Sequence, residues 1–93
     1  VVSGGNKPYF ETSLGNVKYR RFKGTVDESD LVWHRDANDR QVIVKESQGW
    51  QLQFDNELPI QLEEGKTYFI QREQYHRLIK GDGNLVIEIV EEE

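Results

Sequence analysis

The sequence has no cysteine, which excludes disulfides, thiolate nucleophiles and cysteine-based zinc sites. Histidine is scarce too, with 2 residues in 93, so imidazole chemistry rests on His34 and His76. No stretch approaches the ~20 apolar residues of a membrane-spanning helix. Residues 1–8 lack the apolar core of a signal peptide. No segment holds a helical period over three turns. Ser3, Ser13, Ser29 and Ser47 have no His–acid partners at recognisable spacing, which leaves a serine hydrolase unsupported. Positive charge is in short supply: 12 Lys and Arg against 17 Asp and Glu leave a net charge of −5. Lys18, Arg20, Arg21 and Lys23 cluster but do not outweigh that balance, so no nucleic-acid partner and no membrane are expected. A reducing, cytoplasmic setting suits a chain without cysteine. The tail Glu91–Glu93 reads as a solvated, frayed end.

What the sequence does contain is short alternating segments cut by turns. Residues 1–16 carry Gly4, Gly5, Pro8, Gly15 and Asn16 and read as an irregular arm, with Tyr9 and Phe10 as anchors. Residues 17–93 read as one small β domain. Strands are predicted at 17–23, 30–35, 40–46, 49–54, 58–62, 67–71, 75–79 and 84–90. Turn signals between them include Gln48-Gly49, Asp55-Asn56 and Gly81-Asp82-Gly83. Between His34 and Leu62 the even positions hold His34, Val42, Val44, Trp50, Leu52, Phe54, Leu58, Ile60 and Leu62. Side chains alternate across a strand, so these residues are predicted to share one interior. The class is all-β, a barrel or two-sheet sandwich.

His34 shares the parity of that interior, and His76 shares the parity of Ile70 and Leu78. Two imidazoles from different strands plus a carboxylate form a two-histidine, one-carboxylate set suited to a divalent transition metal. Asp36 and Asp39 both stand near His34, and either serves as the carboxylate. Arg40 reads in two ways, as an anchor for an anionic ligand or as a salt-bridge partner of Asp36 or Asp39. Trp50 and Tyr68 are candidates to line a ligand pocket, with core packing as the alternative. Trp33, of opposite parity to His34, is expected to cover an outer face or a subunit contact.

The segment from Gly65 to His76 resembles the second motif of the cupin superfamily. Gly65 and His76 match in residue and spacing, while Gln71, Glu73 and Lys80 stand where that motif has Pro, Gly and Asn. His34 is similar to the first histidine of the first cupin motif, with Asp36 at the second. In the shortest register Arg40 falls at the motif's Glu and Ser47 at its Gly. The stretches Leu31–Asp36 and Tyr75–Ile79 also look like small cupin-like proteins of phages and marine bacteria. His34 with an acid five positions on is similar to cupin dioxygenases of the 3-hydroxyanthranilate type, a spacing that selects Asp39.

The resemblance implies a small double-stranded β-helix, or jelly-roll, barrel, pairing as a homodimer. It implies Fe(II), Mn(II), Zn(II) or Ni(II) held by His34, His76 and Asp36 or Asp39, with a small acidic or oxygenated ligand beside it. Oxygenase or isomerase chemistry is typical of such sites. The other reading is a metal-free cupin serving binding or assembly, with Arg40 neutralising the carboxylate.

Overall fold

The computed structural model describes residues 7–92. Eight strands run in the order β1 (Phe10–Leu14), β2 (Val17–Phe22), β3 (Asp39–Ser47), β4 (Gln51–Phe54), β5 (Ile60–Gln61), β6 (Thr67–Ile70), β7 (His76–Ile79) and β8 (Leu85–Glu92). They form a five-stranded sheet in the order β1-β2-β8-β3-β6 and a three-stranded sheet in the order β5-β4-β7. Every pairing is antiparallel. No helix among the described residues is long and apolar enough to cross a membrane.

The all-β reading holds, with three corrections. The two sheets are not closed into a barrel; they meet over one core and leave an opening between them. The irregular arm is in part a strand. Phe10–Leu14 pairs with Val17–Phe22 through a two-residue turn in which Gly15 has φ +63°, the conformation a primed hairpin turn needs. Residues 1–6 lie outside the described part. The predicted strand 30–35 is absent. Asp27 caps a 3₁₀ turn at Glu28–Asp30 by accepting from the Ser29 N–H, and only His34 beyond it pairs with a strand.

The core unites both sheets. Val42, Val44, Phe22, Leu85, Ile87, Ile89 and Ile70 come from the larger one, and Leu52 and Phe54 from the smaller. Trp50 and Leu62 complete it. Burying such side chains is worth about 1.5–3 kcal/mol each. Alternation predicted Val42, Val44, Trp50, Leu52, Phe54 and Leu62 in this interior, but His34, Leu58 and Ile60 of the same parity are exposed. Leu58 lies outside any strand, and Ile60 sits on a two-residue edge strand. Inward parity also switches within β3. A bulge between Val44 and Glu46 lets Val44 face Ile87 and Ser47 face Leu85.

At one end, the β3–β4 and β7–β8 turns press together. The Asp82 N–H donates to the Gln48 carbonyl at 2.8 Å. A Cβ on Gly81 would come within 2.2 Å of that same oxygen, so only glycine fits there. The Trp50 Nε1–H donates to the Gly83 carbonyl at 2.7 Å, which anchors the turn to the core. The far end is left open, and there His34 and His76 meet.

Candidate metal centre

His76 opens β7, and His34 lies in the segment after the 3₁₀ turn. The two backbones form an isolated antiparallel bridge, with N–H to C=O bonds of 2.9 Å in both directions. Residues facing each other across such a bridge project to the same side. The rings therefore sit together, their centroids 4.4 Å apart. The neighbours of each histidine project the other way. Trp33 stacks on Tyr75 at 5.5 Å, Arg77 covers Trp33 at 4.7 Å and Arg35 covers Tyr75 at 5.5 Å. Trp33 thus covers an outer face, as its parity predicted, and this ladder braces the bridge from behind.

Asp36 completes the cluster. Its Oδ1 lies 3.8 Å from His34 Nε2, and its Oδ2 lies 3.4 Å from His76 Nε2. The Glu73 N–H donates to the Asp36 carbonyl at 2.7 Å and fixes the backbone there. To do so Glu73 takes φ +63°, a left-handed conformation disfavoured for non-glycine residues. This is the position where the cupin motif has glycine, which gives that part of the motif its physical meaning.

Each histidine is held in one tautomer. His34 Nδ1 lies 3.0 Å from the Val32 carbonyl, and His76 Nδ1 lies 2.7 Å from the Gln74 carbonyl. A carbonyl only accepts, so each Nδ1 carries a proton and each Nε2 is the nitrogen turned toward Asp36. Burial pushes the His76 imidazole below its ordinary value, and His34 and Arg40 act in the same direction. The Gln74 carbonyl and Asp36 oppose them. Two imidazole Nε2 atoms and one carboxylate therefore face one another.

Such a set fits a cation. Metal bonds of about 2.0–2.2 Å place tetrahedral donors roughly 3.3–3.6 Å apart. One donor atom from each of His34, Asp36 and His76 lies within 4.8 Å of the others. Asp36 Oδ2 is buried and accepts no hydrogen bond. It lies 3.4 Å from His76 Nε2 and 3.3 Å from Arg40 Nη1, and neither makes a hydrogen bond to it. A buried carboxylate oxygen with a spare lone pair is the place where a metal would bind.

Of the two carboxylates predicted, the structure brings Asp36 to the histidines and not Asp39. Asp39 Oδ1 instead accepts from the Arg72 N–H at 2.7 Å and ties β3 to the loop before β7. Arg40 does reach the site. Its Nη1 lies 3.3 Å from Asp36 Oδ2, while its Nε and Nη2 donate to Glu91 Oε2 at 3.1 and 3.0 Å. Lys18 Nζ holds the other Glu91 oxygen at 2.8 Å. The bond from Lys18 and those from Arg40 keep the Glu91 carboxyl below the ordinary range against its partial burial. Glu91 and Glu92 thus belong to β8 and are not a frayed end; Glu93 lies outside the described residues. The signal for Glu91 was its place on the alternation of Leu85, Ile87 and Ile89.

A cavity of about 270 Å³ opens beside the cluster. Apolar side chains such as Leu31, Val42, Leu52, Ile70, Leu78 and Ile89 line it, and His34, Asp36, Arg40 and His76 form a polar end. Trp50 and Tyr68, predicted as ligand contacts, are not among its walls. Trp50 is fully buried in the core. The Tyr68 hydroxyl donates to the Gln61 carbonyl and accepts from the Glu63 N–H, which links the two sheets.

No family model matches the chain, and no curated protein matches it. Solved structures do. An RmlC-like cupin family protein with a double-stranded β-helix fold from Methanocaldococcus jannaschii is 12% identical, with a TM-score of 0.72 over 98% of this chain and 85% of that one. A cupin domain from Bordetella pertussis is 22% identical, with a TM-score of 0.66 over 97% of this chain and 100% of that one. Fe(II) HppE in complex with its substrate is 16% identical, with a TM-score of 0.65. The match covers 90% of this chain and 52% of HppE, so this chain spans about half that enzyme's length. At such identities the likeness is one of fold, and the fold this chain adopts is the cupin double-stranded β-helix.

Proposed function

We propose that this protein binds one divalent transition metal through His34, Asp36 and His76 and admits a small oxygenated molecule to the cavity beside it. The observation that carries this reading is the convergence of two imidazoles and one carboxylate, with Asp36 Oδ2 buried and accepting no hydrogen bond. Iron suits the set best, since two imidazoles and one carboxylate form the facial arrangement that leaves positions open for oxygen or substrate. Manganese, zinc and nickel suit it less selectively. The likeness of fold to an Fe(II) enzyme supports the same direction. When bound, the ion would supply Lewis-acid or oxygen-binding chemistry.

The chain's own residues divide the remaining work. The Val32 and Gln74 carbonyls orient the two rings. The apolar walls exclude water and favour a compact, largely apolar molecule with an oxygen-bearing head. The volume lies just under the ~300–1,000 Å³ of ordinary ligand pockets. Arg40 is engaged by Asp36 and Glu91, which favours an oxygenated head bound at the ion over a carboxylate anchored on Arg40.

The second reading is a metal-free cupin-fold module for ligand binding or assembly. The Arg40–Asp36 contact favours it, because a guanidinium also neutralises that carboxylate. Metal analysis of protein purified without chelator and reconstituted with Fe(II), Mn(II), Zn(II) or Ni(II) separates the two. Close to one ion per chain, lost in His76→Ala, is expected. Absence of stoichiometric metal under all four conditions refutes the first reading.

A further inference from the structure

Arg40 is an unusual neighbour for a cation site. Its Nη1 lies 3.3 Å from Asp36 Oδ2, the oxygen that also faces His76 Nε2 at 3.4 Å. A guanidinium and a metal ion both need that carboxylate, and like charges held this close repel. The contact is electrostatic and loose, since Asp36 Oδ2 accepts no hydrogen bond. On its other side the same guanidinium is gripped well. Nε and Nη2 both donate to Glu91 Oε2, and Lys18 holds Glu91 from behind. This grip is built into the sheet, because Arg40 on β3 lies directly opposite Glu91 on β8.

We propose that Arg40 is an internal competitor for the metal site, and that Glu91 sets how strongly it competes by drawing the guanidinium away from Asp36. The inference rests on the metal reading and deepens it. With Glu91 in place, the fork is turned toward β8 and Asp36 is left with one weak partner. Without it, Arg40 swings its full donor set onto Asp36, and one negative charge is also lost near the ion. Without Arg40, the carboxylate has only the two imidazoles and the metal to answer. Arg40 and Glu91 are thus positioning residues with opposite effects on one affinity.

The test is calorimetric titration of Zn(II) and Co(II) into the chelator-stripped full chain and its variants, with Co(II) absorption as the record of coordination. Removing a whole charge from beside the site in Arg40→Met should tighten binding about tenfold or more. Glu91→Gln should weaken it several-fold. Arg40→Gln replaces Arg40→Met if circular dichroism shows that the latter is unfolded. Opposite shifts support the proposal. Shifts in the same direction, or no shift in folded variants, overturn it and leave the metal reading standing. If the native chain takes up no ion and the Arg40 variant takes up one, the proposal stands and the metal reading of the native protein falls. If neither binds, both fall.

Discussion

Replacing Trp33 by alanine should weaken a site that Trp33 never touches. Trp33 stacks on Tyr75 at 5.5 Å with 20° between the rings, and Arg77 lies 4.7 Å from its centroid. The aromatic pair is worth about 0.5–1.5 kcal/mol and an exposed cation–π contact about 0.5–1. Together these predict a loss of about 1–2.5 kcal/mol in Trp33→Ala, before any cost from lost apolar contact. In a domain of this size each kcal/mol moves the melting temperature by about 4–8 °C. Urea unfolding gives the free energy, and a double-mutant cycle with Arg77→Ala isolates the cation–π part. The functional consequence follows from the bridge. The outer ladder presses the His34 segment onto β7, so its loss lets that segment open and separates the two imidazoles. Metal affinity should therefore fall in Trp33→Ala, by at most the lost free energy, or tenfold per ~1.4 kcal/mol. A stability loss below ~0.5 kcal/mol, or unchanged affinity beside a large stability loss, would refute the bracing role.

The two carboxylates that the sequence offered should part cleanly. Asp36→Asn is expected to remove stoichiometric metal, while Asp39→Asn leaves the affinity within about twofold and costs ~1 kcal/mol through its bond to the Arg72 N–H. The pH dependence of the metal-free protein has a defined sign. Burial holds the folded-state His76 value below 6.5, so above that pH both states are neutral and His76 adds no slope. Below 6.5 the unfolded chain takes up the proton first. Stability should then fall at up to ~1.4 kcal/mol per pH unit until the folded-state value is reached. Glu91 acts lower down. Its folded value lies below 4.5, so its contribution is full above 4.5 and is lost as pH falls through that folded value. Denaturant curves from pH 8 to 5 check the upper window, and His76→Asn should flatten it. Glu73→Gly should raise stability by about 0.5–1 kcal/mol, since glycine adopts φ +63° without the penalty; a loss would show that the Glu73 side chain matters more than its backbone.

Much of this fold was legible because its signals are local. Val42, Val44, Leu52 and Phe54 announce their buried face by a two-residue period that needs no partner to be seen. Gly81 and Gly83 mark their turn in the same way. The failures have local causes as well. The Gly15-Asn16 turn is not legible as a hairpin because the strand before it, Phe10–Leu14, is exposed along its whole length and shows no apolar alternation. Residues 30–35 have a composition that suits a strand, yet Asp27 and Ser29 divert the chain into a 3₁₀ turn first.

By itself the sequence determined the all-β class, most of the core and the fact that any imidazole site must use His34 and His76. Those are properties of composition and period, which short-range geometry enforces. Only the tertiary structure decided between Asp36 and Asp39, which differ by three residues but face different partners. Asp39 spends its carboxylate on the Arg72 N–H, while the bridge between His34 and His76 brings Asp36 to both rings. It also decided the fate of Arg40, because its partner Glu91 lies 51 residues away and reaches it only through the β3–β8 pairing. Long-range register places charges beside one another, and no local pattern in the chain records it.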